Sequence, residues 1–558
     1  MPKRVSTPVF LAFVAGALCL IAACVQTAPA IPEQILRPPV SPQASARINA
    51  DVAFLADDAR AGRKAGTAGY DDAAAYVAAR LDEMGLVPFG DDGRWRQETS
   101  LRSWTEVLSS SSLSIVGPGG ESRALTSYED FRIYQSPERQ SASITAPAVF
   151  VGYGVHAPEL GHDDLAGRDL AGKVAVYFIG APATLDDDAW RYYQSRSVKM
   201  AALAERGAIG VIEVQTFAGA ELTPWARFQR NPKRAQMTWL RPDGRAENRA
   251  SGIALRAVMH PESTPLLFEG APRTFSELLE ETDDPYAAPE GFDLAVEISM
   301  KGAARFEDVE SANVVGLIDG ADPQLRNEYV VLTAHLDHLG LDEDLEEAGE
   351  DGVYNGALDN AIGVAVMLEV AHNLMQASPK RSVIVLATTA EEKGLIGADY
   401  FVNNPPVPID TIVANVNLDM PLMLYPFTDM VAFGAERSSL GSIAKMAVEA
   451  AGFVLAPDPL PEEGLFTRSD HYRFVEKGVP AIFLIPGFAN GGEAVFRSFL
   501  AEHYHEPSDD AEQPILYDEA ARFATINTMI ARDIANAPPR PAWRDGDFFG
   551  DMFSRVGR

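Results

Sequence analysis

The sequence predicts an α/β protein built on a largely parallel sheet with flanking helices, interrupted by a mostly β module. Three observations carry this. After Ser311 short apolar runs alternate with helical stretches, the pattern of strands joined by helical crossovers. Between 111 and 299 the chain changes to short β-like runs such as AVFVGYG and KVAVYF. Ahead of both, apolar residues recur at helical spacing from Ala44 to Met84. In chain order, Ile48, Val52, Leu55 and Ala56 define a first helix, and Ala75, Val77, Ala78, Leu81 and Met84 a second over 71–84. Residues 60–69 between them form a glycine-punctuated turn. It lacks the preceding strand and the Gly-Lys-Ser/Thr of a phosphate loop. The later strands are expected at 314–318, 329–333, 382–388, 412–418, 430–433 and 479–485, with helices at 360–376, 437–452 and 518–535. The resulting division is 43–110, an insertion over 111–299, a second part over 300–537 and an aromatic tail over 538–558 that should dock on the body.

The first residues read as an address. Lys3 and Arg4 precede an apolar run, Val9–Ala23, too short to span a bilayer comfortably. This fits a secretory signal over 1–23. Small residues directly before Cys24 resemble a bacterial lipoprotein cleavage site, so Cys24 is expected to be lipidated and 24–42, rich in proline, to be a tether. By resemblance to lipoprotein sorting, the absence of Asp after Cys24 implies an exported lipoprotein of the cell envelope, held in the outer membrane and facing the periplasm.

Composition excludes several classes. The 558 residues carry a formal charge of −32, which opposes nucleic-acid binding. The two cysteines, Cys19 and Cys24, both lie in the leader. A disulfide scaffold, a cysteine nucleophile and a Cys-ligated zinc finger are therefore excluded. No G-x-S-x-G elbow, H-E-x-x-H helix or P-loop occurs.

The chemistry-bearing residues gather at the carboxyl ends of the expected parallel strands, where ligands sit in open α/β sheets. His335 and Asp337 follow one strand, Glu391 and Glu392 another, and Asp419 a third; Asp359 precedes a helix, and His505 lies in the segment HYHEPSD. Singly, each has an ordinary explanation. Asp359 could be a helix N-cap, and Glu391-Glu392 a solvated pair at a helix start. Together they meet the needs of a dinuclear metal centre: N and O donors from several elements, a carboxylate able to bridge, and an unbound acid beside the metals.

The stretches AHLDHLG (334–340), GALDNAIGVAVMLE (356–369), TTAEEKGLIGADYF (388–401), NLDMP (417–421), SDHYRFVEKGVPAIFL (469–484) and YHEPSD (504–509) resemble metallopeptidase family 28, the two-zinc aminopeptidases. That family also holds glutamate carboxypeptidase II, the glutaminyl cyclases and the catalytically dead transferrin receptor. Residues 60–86 are similar to its N-terminal helices, and the insertion resembles the protease-associated domain. The resemblance implies a zinc aminopeptidase fold of three layers, with a mixed, mostly parallel sheet. It implies two zinc ions held by His335, Asp359, Glu392, Asp419 and His505, with Asp359 bridging. Glu391 would be the general base, Asp337 would orient His335, and Asp509 would orient His505. His503 competes with His505 for the last ligand position, and His338 would line the cleft. Asp470-His471 would be near the site and structural. Leu358 and Ile362 depart from the polar residues usual beside the bridging Asp.

The function implied is a zinc-dependent exopeptidase acting on peptide substrates, foremost an aminopeptidase. Its membrane contact would run through the lipid anchor. Arg437, Arg468 and Arg473 keep a carboxypeptidase in view, since that activity must grip a terminal carboxylate. An inactive binding protein on the same fold would have lost ligands, and none is missing.

Overall fold

The computed structural model describes residues 39–229 and 235–554. The expected signal segment, the lipidated Cys24 and most of the tether lie outside the described residues. Among the described residues no helix is long and apolar enough to cross a membrane.

The main sheet runs, edge to edge, through Gln236–Trp239, Arg96–Glu106, the C-terminal part of Phe292–Ile318, Ser382–Thr388, Tyr329–His335, Ile412–Asn417, Ala481–Pro486, Asp429–Phe433 and Val454–Ala456. Its four central strands, Ser382–Thr388, Tyr329–His335, Ile412–Asn417 and Ala481–Pro486, are mutually parallel. The strand pattern explains the layers. Val330, Leu332 and Ala334 point into one core, while Val331 points into the other. Likewise Val383, Val385 and Ala387 face one way, and Ile384 and Leu386 the opposite way. Side chains two apart share a face, so both faces must be covered. The first face is covered by helices Pro42–Leu55, Ala68–Glu83, Ile362–Ala377, Leu440–Ala450 and Tyr517–Asn536. The second carries Ile396–Asn403 and His471–Val475, through Phe401 and Phe474. Each fully buried Val, Leu or Ile here contributes about 1.5–3 kcal/mol before chain entropy is counted. The strands carrying the site are therefore rigidly seated.

A second sheet joins Ser122–Ala124, Ser112–Val116, the N-terminal part of Phe292–Ile318, Ser141–Phe150, Val174–Phe178, Gly210–Val214, Leu255–Met259 and Phe131–Gln135. It has its own core around Phe150, Phe178, Phe268 and Phe275. Two details differ from the division expected at 299/300. Phe292–Ile318 is one continuous strand, pairing with Ser141–Phe150 at one end and with Arg96–Glu106 and Ser382–Thr388 further on. Within the insertion, Gln236–Trp239 returns to extend the main sheet beside Arg96–Glu106. Composition marks a change of module, but it cannot show that a strand's backbone serves two sheets.

The tail fastens both units. Trp543 Nε1 donates to Gly478 O at 2.9 Å, and Phe549 is fully buried against Phe466 and Tyr472. Phe548 and Phe553 pack on Tyr192 of the second unit. Arg437 donates to Asp188 of the second unit at 2.6 and 2.7 Å and to Asp547 of the tail at 3.4 Å.

Beside this junction lies His471, fully buried between Phe466 and Phe483 at ring separations of 5.3 and 5.5 Å. Burial disfavours the imidazolium and pushes its pKa down to about 3. An unfolded imidazole binds a proton near pH 6.5, where the native one does not. The site therefore costs stability as pH falls from about 6.5 toward 3, by up to about 1.4 kcal/mol per pH unit. His471→Phe is expected to flatten this part of the acid limb. Denaturant midpoints at pH 7 and 4.5 would check it, and an unchanged pH dependence would refute it.

Candidate metal centre

The carboxyl ends of three central strands deliver most of the site. His335 ends Tyr329–His335 and pairs in register with Thr388. Glu391 and Glu392 follow Thr388 in a short turn, Glu391–Lys393. Asp419 lies two residues beyond Ile412–Asn417. Asp359 sits in the irregular segment Ala357–Ala361 just before helix Ile362–Ala377, and His505 in the loop after Gly492–Glu502. Asp359 is thus not the helix N-cap, because Ala361 holds that position.

The central geometry is a shared carboxylate. Asp359 presents Oδ1 to His335 Nε2 at 3.1 Å and Oδ2 to His505 Nε2 at 3.3 Å. His335 Nε2 also lies 3.2 Å from Asp419 Oδ1, and His505 Nε2 lies 3.2 Å from Glu392 Oε2. Two donor sets follow, His335–Asp359–Asp419 and His505–Asp359–Glu392, with Asp359 in both. Glu391 stands beside them. One ligand atom each from His335, Glu391 and Glu392 falls within 4.8 Å. Among the described residues the Glu391 carboxylate makes no hydrogen bond.

These donors fit cations. His335 Nδ1 lies 3.1 Å from the Asp337 carbonyl, which can only accept, so Nδ1 carries the proton. With Nδ1 so engaged, Nε2 is the ring atom aimed at Asp359 and Asp419, and either its own proton or a metal cation must lie between them. Four carboxylates converge here, and the buried cation behind them is Arg63, which bonds only carbonyls: Leu336 O at 2.9 Å, Leu55 O at 2.6 Å, Asn355 O at 2.5 Å and Gly356 O at 3.0 Å. Nitrogen and carboxylate donors without sulfur, in two sets with a bridge, suit zinc.

Electrostatics separates the acids. Burial pushes Glu391 well above the usual carboxylate range, with Asp419 and Glu392 adding to the rise. Burial would also raise Asp359, but its hydrogen bonds with His335 and His505 hold it well below the ordinary value. Glu392 is held down to about 2, because bonds with His338 and His505 outweigh burial and the Asp359 charge.

Two orienting roles differ from those expected. The Asp337 carboxylate does not touch His335; it accepts the main-chain N–H of Glu391 at 2.9 Å and of Glu392 at 3.4 Å. Asp337 aligns His335 through its carbonyl instead. The Asp509 carboxylate does not reach His505 either. It accepts the N–H of Leu358 at 2.8 Å and of Asp359 at 3.0 Å, fixing the bridging residue's backbone. In both cases the acid stabilises a tight turn whose N–H groups have no strand partner. Sequence spacing does not reveal such bonds.

Chain spacing does not show the contacts of His338 or of strand 412–417. His338 is fully enclosed and lies 2.8 Å through Nδ1 from Glu392 Oε1, leaving Oε2 toward His505. It sits against Gly356, where a Cβ would come within 2.6 Å of its ring. Gly356 at φ +60 supplies the room. The strand 412–417, which reads as an apolar run, carries a buried polar relay. Asn415 Nδ2 donates to Thr333 Oγ1 at 3.1 Å, Thr333 Oγ1 to Asn417 Oδ1 at 2.6 Å, and Asn417 Nδ2 to Ser469 Oγ at 2.7 Å; Ser469 Oγ then donates to Asp419. The two asparagines in VANVNL were its signal. His503 is turned away, 2.8 Å from Ser508 Oγ. Asp470 is buried and accepts from Thr388 Oγ1.

Above the donors lies a cavity of about 280 Å³. Its floor is His335, Asp359, Glu391 and Asp419, and its walls include Met420, Leu460, Phe483, Ile485 and Phe496.

Residues 313–531 match the profile of peptidase family M28. The chain is 26% identical over 271 residues to "probable leucine aminopeptidase 2" of Aspergillus oryzae, covering 44% of this chain and 50% of that protein. It is 26% identical over 328 residues to "Probable zinc metalloprotease" of Pyricularia oryzae, covering 52% and 63%. The chain thus spans about half to two-thirds of the length of these curated relatives. Among solved structures it is similar to an aminopeptidase from Aneurinibacillus sp. strain AM-1, with TM-score 0.49, 19% identity, and 89% and 95% of the two chains covered.

Proposed function

We propose, from the match of residues 313–531 to peptidase family M28, that the chain is an aminopeptidase with two zinc ions, removing N-terminal residues from peptides. The observation that carries the reading is Asp359 offering one oxygen to each histidine. His335, Asp359 and Asp419 would hold one zinc, and His505, Asp359 and Glu392 the other. When bound, the ions supply Lewis acidity, acidifying water and polarising the scissile carbonyl. Glu391, bonded to none of the donors and with its affinity for protons raised by burial, takes a proton from the attacking water and returns it to the departing amine. Asp337 keeps the Glu391–Glu392 turn in place for this transfer.

The aminopeptidase form is favoured over the carboxypeptidase by what the arginines do. Arg437 is engaged by Asp188 and Asp547, and Arg473 by Glu476 at 2.8 Å. Of the three, only Arg468 lines the metal cavity. The cavity's carboxylates suit a free α-ammonium group, and its apolar walls suit an aliphatic or aromatic first residue. An envelope location through lipidated Cys24 is part of the proposal, resting on residues 1–24.

The test measures metal content together with hydrolysis of leucine anilide and its N-acetylated twin. Bound zinc and activity abolished by acetylation are expected. Preserved activity on the acetylated substrate would refute the aminopeptidase. Zinc-free protein without turnover would refute the enzyme.

A further inference from the structure

A cluster of cationic side chains lies in the second unit, beside the turn of residues 463–468. In the second unit Lys199 is 1% exposed and Arg256 8%. Arg196 stands at the rim, half exposed. One buried carboxylate, Glu213, bonds two of these three cations. Its Oε1 accepts from Arg196 Nε at 2.8 Å and from Tyr177 OH at 2.7 Å, and its Oε2 from Arg256 Nη1 at 2.5 Å. Among the described residues no carboxylate bonds Lys199. Its Nζ donates to the carbonyls of Phe178, at 3.3 Å, and Gly180. Burying an ammonium against neutral carbonyls is costly, and burial pulls its pKa down to about 7.

Lys199, Arg196 and Glu213 line a cleft of about 320 Å³, whose far wall is Glu463 and Arg468 of the peptidase unit. Glu463 and Arg468 also line the metal cavity. The two spaces therefore share a wall, and a peptide whose amino end lies over Asp359 has a cationic space next to it.

We propose that this cleft, through Lys199 and Arg196, binds a carboxylate of the peptide substrate downstream of the scissile bond. This deepens the aminopeptidase reading and rests on it. The chain's own Glu213 already shows that a carboxylate is accommodated among these cations. A second carboxylate would offset more of this charge and give Lys199 an anionic acceptor beside its two carbonyls. The shared chemistry is a carboxylate, from either the C-terminus of a short peptide or an acidic side chain.

The test compares Leu-Gly-Gly as free acid, the same tripeptide as its amide, and Leu-Gly-Asp amide. Leucine anilide turnover is recorded alongside. A charge-assisted contact should give the free acid a KM about tenfold below that of the amide. Leu-Gly-Asp amide regains the low KM if a side-chain carboxylate serves, and stays high if the cleft takes only a chain terminus. Lys199→Met should erase the difference between acid and amide. Arg196→Gln, at the rim, tests the same point if the buried substitution impairs folding. Equal KM values for all three peptides, or discrimination surviving in both variants, would overturn the proposal while the anilide result still stood for the aminopeptidase. Failure to cleave the anilide or any peptide would overturn both.

Discussion

Glu391→Gln is expected to lower kcat by about 10²–10⁴-fold while leaving zinc content unchanged. Gln occupies the same volume and makes no new charge, so the two donor sets persist, because Glu391 belongs to neither. Only the capacity to take and return a proton is lost. The geometry makes this separation sharp. Asp337 fixes the turn through the main-chain N–H of residue 391, a contact the substitution does not touch. Steady-state hydrolysis of leucine anilide beside elemental analysis would check it. Near-normal turnover at full zinc content would remove Glu391 from the base role, and lost zinc would make it a ligand.

Asp359→Ala should have the opposite signature, with loss of metal preceding any question of chemistry. Asp359 is the one residue in both donor sets, so its removal weakens both sites at once. Removing outer partners of metal ligands alone costs about 10–100-fold in affinity; losing a bridging ligand should exceed about 100-fold. The native protein should melt at a higher temperature with zinc than after chelation, because an ion bound only by the folded state stabilises it. In the variant that zinc-dependent shift should disappear. Retention of two zinc ions through dialysis would contradict the bridging assignment. The thermal shift keeps the test independent of turnover.

The peptidase unit was legible because its residues answer to local rules. Apolar runs such as YVVLTA and SVIVLATT read as strands buried on both faces, and the candidate donors follow them directly. The helix after Asp359 was expected at 360 and begins at Ile362. The two intervening residues are occupied by the irregular segment that turns Asp359 toward both histidines. Gly363 permits that segment, since a Cβ there would meet Asn360 Oδ1 at 2.0 Å. The orienting acids were misread for a single reason. Asp337 and Asp509 lie beside histidines in the chain, but their carboxylates satisfy main-chain N–H groups of loops brought in from elsewhere. His338 likewise acts on a residue 54 positions away.

What the primary structure indicated by itself was the candidate chemistry: which side chains could serve as donors, which strand ends they follow, and which reaction classes are excluded. Periodicity and residue type are local properties, and burial acts on them directly. Tertiary structure alone decided the partnerships. It made one strand serve two sheets, gave Asp359 an oxygen for each histidine, and set Lys199 beside a cleft bonded to carbonyls. Those facts depend on ångström-scale distances between segments tens to hundreds of residues apart, which packing imposes and local spacing does not encode.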